Sequence, residues 1–378
     1  TGTRAGTLDR LTNANTFYKW TLSEGQRFEA TLTAEAGTDF DIYLYGPDGV
    51  TPLAWSNGGS YPEHLMWDVT ATGTYYIEVV SFSGSGAYGV EFSTVATPAW
   101  VATTRSAGGD RYATAISLSQ GAFATGSVTT AVLATGQNFP DALSAAGLAG
   151  VYHSPVLLTK TASLPAGLVS ELERLGAQNV VIVGGEPAVS LSVAGDLVNA
   201  GFSVSRVAGG HRYSTSAAVA DRIAALKGSA FGKMAFVARG DAFPDALALA
   251  PFAYSQGCPV LLTRTSALSS ECADAINRLS IQEVYIAGST AAVSSGVESS
   301  LNALPSVTMP VSRLAGANRY ETAAVIATKG LEFWWGTAGY VGIATGTDFP
   351  DALGGGAVCG SRGGVLLLTD PKNLSAPA

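Results

Sequence analysis

Hydrophobic and polar positions follow two different rules along this chain. Up to about residue 96 they alternate. The runs are Phe28, Ala30, Leu32 and Ala34, then Phe40, Ile42 and Leu44, then Tyr75, Ile77 and Val79, then Tyr88, Val90 and Phe92. A period of two in aliphatic and aromatic residues marks half-buried strands. Turn-forming clusters separate the runs, at Gly46-Pro47-Asp48-Gly49, Asn57-Gly58-Gly59, Thr72-Gly73 and Ser83-Gly84-Ser85-Gly86. Short strands at this spacing predict a β-sandwich over residues 1–96.

From Trp100 the pattern becomes strand, glycine-containing loop, helix, and it repeats. The block Arg-x-x-Gly-x-x-Arg-Tyr-x-Thr begins at Arg105, Arg206 and Arg313, so its spacings are 101 and 107 residues. Phe-Pro-Asp-Ala-Leu begins at Phe139, Phe243 and Phe349. Leu-Leu-Thr ends at Thr159, Thr263 and Thr369. A fourth block, Val181–Val189, has one partner, Tyr285–Val293, and no third copy. Each copy reads as four strand–loop–helix units. In the second copy strands are expected near Val204–Arg206, Met234–Ala238, Pro259–Thr263 and Glu283–Ala287. Helices are expected near Tyr213–Leu226, Asp245–Ser255, Ser269–Leu279 and Ala292–Leu304. Strands that are apolar throughout suit parallel sheets covered on both faces. The expected fold is therefore multidomain. An all-β sandwich precedes three α/β modules, at residues 100–200, 201–305 and 306–378, in a pseudo-threefold arrangement like that of closed trimers. The sequence stops nine residues after Thr369. The third sheet is accordingly expected to lack its fourth strand, through truncation or through residues beyond Ala378.

Composition narrows the classes. Apolar residues make up 47% of the 378 residues and charged residues 13%, about half the usual ~25%, which excludes a disordered chain. No apolar run is long enough to span a bilayer; His153 and Pro155 interrupt the nearest, Ala142–Leu158. Thr1 opens no signal-peptide pattern, so export is expected to rest on a segment removed or left out. The net charge of −8 is uneven: residues 1–99 hold 4 basic and 11 acidic side chains, a net of −7. No basic stripe is present, so a nucleic-acid partner is not expected. Cys258, Cys272 and Cys359 have no metal-site spacing, and no cofactor is expected.

The repeated residues suggest chemistry. A strand end, a glycine loop and a helix start expose backbone N–H groups and the positive end of the helix dipole. Arg105, Arg111, Arg206, Arg212, Arg313 and Arg319 there would make phosphate or carboxylate receptors. The alternative is internal salt bridges, with Arg111, Arg212 and Arg319 pinning loops to Asp141, Asp245 and Asp351. Those three Asp follow Pro at helix starts, where the dipole favours them without any catalysis. Asp39, Asp41 and Asp48 are weak calcium candidates, since alternation turns Asp39 and Asp41 towards solvent. Trp20, Trp55, Trp67, Tyr43 and Tyr45 form either a sugar platform or core. His64, His153 and His211 lie apart, no His-Glu-x-x-His or Gly-x-Ser-x-Gly occurs, and no catalytic residue is expected. His211 fills a slot held by Asp110 and Asn318, and so reads as a variable loop-tip residue.

The four blocks, at these spacings, resemble the type 2 cell wall binding repeats of Gram-positive bacteria over residues ~100–378. That family occurs in triplicate, in surface proteins held non-covalently on anionic wall polymers. The resemblance implies a pseudo-threefold cluster with the Leu-Leu strands near its centre. It also implies a non-catalytic anchor outside the cell, bound to an anionic cell-wall glycan and monomeric. The third copy departs from the pattern, reading Gly354-Gly-Gly where the others read Ser144-Ala-Ala and Ala248-Leu-Ala. Residues ~8–96, with Phe40–Gly49, Gly73–Ile77 and Ser85–Tyr88, resemble the bacterial pre-peptidase C-terminal domain, an accessory module of secreted proteins. Two alternatives stay open: a wall hydrolase of amidase or glycosidase type, and a surface-layer component assembling through its repeats.

Overall fold

The computed structural model describes residues 2–57, 62–96, 103–333, 335–337 and 339–375. The predicted turn at Gly58-Gly59, the change of pattern at Trp100 and the end at Ala378 lie outside the described residues. The chain forms two units, Thr1–Thr104 and Arg105–Ala378.

The first unit is the expected sandwich. Its strands are β1 (Gly2–Asp9), β2 (Asn15–Leu22), β3 (Gln26–Ala34), β4 (Asp39–Tyr45), β5 (Pro52–Ser56), β6 (Glu63–Asp68), β7 (Gly73–Ser83) and β8 (Ser85–Ala96). They form two antiparallel sheets, ordered β1-β8-β3-β6 and β2-β7-β4-β5. The alternating residues meet between them: Phe28, Leu32, Phe40, Ile42, Leu44, Ile77, Val79 and Val90 are fully buried.

The second unit contains three α/β modules. The first has α1 (Arg111–Ala122), β9 (Thr130–Thr135), α2 (Pro140–Tyr152), β10 (Val156–Thr159), α3 (Leu168–Leu175), β11 (Asn179–Val183), α4 (Leu191–Asn199) and β12 (Ser203–Val207). The second has α5 (Arg212–Lys227), β13 (Met234–Arg239), α6 (Pro244–Gln256), β14 (Val260–Thr263), α7 (Ser270–Arg278), β15 (Glu283–Ala287), α8 (Ser295–Asn302) and β16 (Ser312–Leu314). Their parallel sheets are ordered β10-β9-β11-β12 and β14-β13-β15-β16. The third module has α9 (Arg319–Glu332), β17 (Val341–Thr345), α10 (Pro350–Ser361) and β18 (Val365–Thr369), with a two-stranded sheet among the described residues.

One strand assignment needs correction. Val204–Arg206, expected to open the second copy's sheet, lies in β12 and closes the first sheet by pairing with β11. Likewise β16 pairs with β15. The chain then turns through a glycine loop into α5, which packs on β14 of the next module. Each Arg–Gly–Arg block thus bridges two modules: its strand belongs to one and its helix to the next.

The modules close into a ring. Helices α2, α6 and α10 contact one another, while α5 packs on α2, α9 on α6 and α1 on α10. The crossing of α2 and α6 is very close. A Cβ on Gly147 or Gly150 would stand 2.0 Å from the carbonyl oxygen of Cys258 or Tyr254. In α10, Gly356 and Gly360 lie against Ala250 and Tyr254, which accounts for Gly356 in the third copy's glycine run. The Leu-Leu strands form the layer behind these helices: β14 packs on α2, β18 on α6 and β10 on α10. Leu157, Leu158, Leu261, Leu262, Leu366 and Leu368 are buried there. Among the described residues no helix is long and apolar enough to cross a membrane.

Candidate ligand-binding site on the pseudo-threefold axis

The chain leaves β9, β13 and β17 at their C-terminal ends, turns at a glycine and enters α2, α6 and α10 through Phe-Pro-Asp. Pro140, Pro244 and Pro350 occupy the first helical position, where the missing N–H costs nothing. The three residues ahead of them meet on the axis. Phe139, Phe243 and Phe349 form a near-equilateral triangle, with ring centroids 5.6–5.7 Å apart. All three rings are half-buried. Three helix N-termini therefore converge, each carrying roughly half a positive charge.

A guanidinium stands over each ring. Arg111, Arg212 and Arg319 begin α1, α5 and α9, and the Nη1 group of each donates to the carbonyl of the glycine after its own module's strand: Gly136, Gly240 and Gly346. Each reaches over the Phe of a neighbouring module: Arg111 over Phe349 at 5.6 Å, Arg212 over Phe139 at 5.9 Å and Arg319 over Phe243 at 6.0 Å. Each makes this one hydrogen bond among the described residues, which leaves most of its five-donor fork for other partners.

The expected salt bridges from Arg111, Arg212 and Arg319 to the three Asp residues are not among the ion pairs of the described residues. Asp141 is influenced by Arg212 and not by Arg111, and Asp245 by Arg239 and Arg319. The offset follows from the ring: each Arg extends from its own module to its neighbour. Burial raises the Asp141 carboxyl above its usual value, with Arg212 and a Thr215 hydrogen bond working against it. Burial raises Asp245 likewise. Asp351 is exposed. The difference lies in the loops after β11 and β15. A Cβ on Gly184 would stand 2.5 Å from the Asp141 Oδ2, and one on Gly288 2.4 Å from the Asp245 Oδ2. Both glycines have positive φ, 118° and 98°.

The other three Arg residues do not join the axis. Arg206 and Arg313 donate through Nη1 to the Gly184 and Gly288 carbonyls, both at 2.7 Å, and so hold the loops that cover the Asp residues. Arg313 also pairs with Glu298 at 2.6 Å, whereas the buried Nη2 of Arg206 has no partner among the described residues. Arg105 is exposed and lies outside any strand.

The block's other positions are structural. The Gly108, Gly209 and Gly316 N–H groups donate to the hydroxyls of Thr114, Thr215 and Thr322, each at 3.1 Å. The slot holding Asp110, His211 and Asn318 is the N-cap of α1, α5 and α9. Sequence reasoning missed this; Asp and Asn signalled it, but His in the second copy obscured it. Lys160 and Arg264 follow the Leu-Leu-Thr strands and stand 5.8 and 4.7 Å from the rings of Tyr112 and Tyr213. The third copy has Asp370 in that place, and its carboxylate accepts from the Lys372 and Asn373 N–H groups. All three Cys are buried free thiols, pushed up to about 12 by burial.

In the sandwich the calcium candidates separate. Asp48 accepts from Val50 N, Thr51 N and the Thr51 hydroxyl in its own turn. Asp41, expected in solvent, is 6% exposed, and burial raises its carboxyl. Among the described residues no group of three or more His, Cys, Asp or Glu is placed to hold a metal. Trp20 and Trp67 pack on the core, while Tyr43, Tyr45 and Trp55 lie on an outer face.

Comparison with known proteins fits this geometry. The model of the cell wall binding domain 2 (CWB2) matches residues 105–194, 206–298 and 313–378, and the bacterial pre-peptidase C-terminal domain matches residues 14–81. The chain is 35% identical over 274 residues to the N-acetylmuramoyl-L-alanine amidase LytC of Bacillus subtilis (strain 168), covering 72% of this chain and 51% of that protein. It is 31% identical over 300 residues to the Amidase enhancer of the same organism, covering 79% of this chain and 38% of that protein. The chain thus spans about half or less of these curated relatives. Among solved structures, Cwp8 from Clostridium difficile superposes with a TM-score of 0.62 at 28% identity, over 71% of this chain and 45% of that one. Cwp6 from Clostridium difficile has a TM-score of 0.65 at 19% identity, over 96% of this chain and 63% of that one. The three CWB2 matches fill more than half of the sequence and coincide with the ring of α/β modules, so the chain belongs to the cell wall binding domain 2 family and has a wall-binding or anchoring role at or outside the cell surface.

Proposed function

We propose that this chain is a non-catalytic, monomeric anchor that holds an anionic wall glycan at the pseudo-threefold axis, with the sandwich of residues 1–96 as an accessory module. Arg111, Arg212 and Arg319 are the primary contacts. Arg206 and Arg313 act behind them by fixing the covering loops. Arg105, exposed and outside any strand, is a peripheral contact. Asp141, Asp245 and Asp351 set the local charge. The carrying observation is the convergence of three helix N-termini and three guanidinium groups on one half-exposed Phe triangle. Fixed guanidinium forks suit phosphate and carboxylate groups, and three of them converge on this one axial site. The test is cosedimentation with purified walls before and after extraction of teichoic-type anions. Binding should be strong to the first and largely lost on the second; equal binding would overturn the anionic partner. The 35% identity to an amidase supports a second reading, in which this chain anchors a longer hydrolase. Release of soluble fragments from peptidoglycan by this chain alone would overturn the non-catalytic part of the proposal.

A further inference from the structure

The sandwich presents two unlike outer faces. On the sheet containing β3 and β8 the outward residues are mainly polar, with Thr31 opposite Glu91 and Glu29 opposite Ser93, and the exposed Met66 and Val95 stand among them as single apolar side chains. That is an ordinary solvated face. On the sheet β2-β7-β4-β5 aromatic residues cluster on the outer face, among polar ones that include Asn15, Lys19 and Glu78. Phe17, Glu78, Tyr43 and Trp55 stand opposite one another in a single row across all four strands. In the next row Tyr45 lies opposite Tyr76. Phe17 and Trp55, at the two ends, are 57% and 56% exposed.

The face is also rigid. The Glu78 side chain is buried in mid-row, its Oε1 accepting from Asn15 Nδ2 at 2.8 Å and its Oε2 from the Tyr45 hydroxyl at 2.7 Å. Burial first, and then the nearby buried Asp41, raise the Tyr43 hydroxyl above its usual value. The Tyr43 and Tyr45 rings stack at 6.5 Å with planes 28° apart. Burying a carboxylate is costly unless it is hydrogen-bonded, and here the Glu78 carboxylate holds the Tyr45 hydroxyl in place.

We propose that this outer face is a binding platform for an uncharged glycan strand, separate from the axial site and independent of it. Sugar rings have flat apolar faces that stack on aromatic rings, and hydroxyl edges that bond carboxylates and amides. Three strand spacings of about 4.8 Å make the row roughly 14 Å long, room for several sugars. Charge does not favour a polyanion: Asp41 and Glu78 lie in the face beside an exposed cation, Lys19 opposite Tyr76, and residues 1–99 carry a net of −7.

The test is calorimetric titration of the whole chain with the hexamer of β-1,4-linked N-acetylglucosamine, alongside its deacetylated, amine-bearing form and a polyanionic wall polymer. The uncharged hexamer should bind saturably, quench Trp fluorescence and be insensitive to salt. Trp55→Ala and Phe17→Ala alter exposed side chains and should each weaken it by about tenfold, as loss of an aromatic contact allows. Met66→Ala, on the opposite sheet and 62% exposed, should change nothing. Neither sandwich variant should affect binding of the polyanion, which keeps this outcome apart from that of the axial site. Absence of saturable binding, binding confined to the amine form, or a Trp55→Ala variant that binds the hexamer like the parent would each overturn the proposal.

Discussion

The first two α/β modules and the third carry the same motifs in different surroundings. In the first two, β9 and β13 have neighbours on both sides, and Leu133 and Val237 are fully buried. In the third, β17 pairs with β18 alone among the described residues, and the corresponding Ile343 is 54% exposed. Loops at Gly184 and Gly288 cover Asp141 and Asp245, while Asp351 is open. Yet Arg319 still bonds the Gly346 carbonyl, and Phe349 still completes the triangle. The axis is therefore built by local motifs, namely a strand end, a glycine and a Phe-Pro-Asp helix start. The outer strands add burial and raise the cost of charging the Asp.

The largest expected difference lies in the Leu-Leu strands. Leu261→Asp places an unpaired charge at a fully buried position in β14, and should cost several kcal/mol in a urea melt. The corresponding Leu367 is only half-buried, so Leu367→Asp should cost clearly less. Equal losses would mean that the third module is as tightly covered as the second.

A smaller effect should follow from Gly184→Ala. Its φ of 118° and its contact with Asp141 both resist a Cβ, so the loss should be about 1–3 kcal/mol. A variant as stable as the parent would show that the loop does not press on the carboxylate.

The smallest effect concerns pH. Asp141 and Asp245 have folded values raised above 3.8, so the folded chain holds those protons more tightly than the unfolded one. Their charged forms weaken the fold above the raised values, and the penalty is relieved as pH falls through them towards 3.8. Asp141→Asn should therefore raise the melting temperature at neutral pH and flatten its pH dependence in that window. Asp351→Asn, at an exposed site, should change stability by less than about 0.5 kcal/mol. A response to Asp351→Asn as large as that to Asp141→Asn would remove the role assigned to the covering loops.

Much of this was legible in the sequence because the signals are local. Alternation at Phe40, Ile42 and Leu44 gave the sandwich strands, and the threefold return of Phe-Pro-Asp gave the modules. What was missed depends on the ring. Sequence adjacency assigned Val204–Arg206 to the module that follows it, whereas pairing with β11 places it in the module before. By the same offset the charge acting on Asp141 is that of Arg212 and not that of Arg111. Meeting of the three Phe residues could not be read, since it depends on how three helices cross. Nor could the burial of Asp41, which alternation placed outside and which depends on the side chains around it on the sheet's outer face.

The most direct measurement is the salt dependence of binding to an isolated teichoic-type polymer. It should compare the parent with Arg111→Gln, Arg212→Gln and Arg319→Gln, singly and together, with melting curves for each. The parent should bind more weakly as salt rises. Each single variant should lose roughly tenfold, in line with one charge-assisted hydrogen-bonding partner. The triple variant should lose binding and salt dependence together while remaining folded. A folded triple variant that binds like the parent, with the same response to salt, would contradict the axial site.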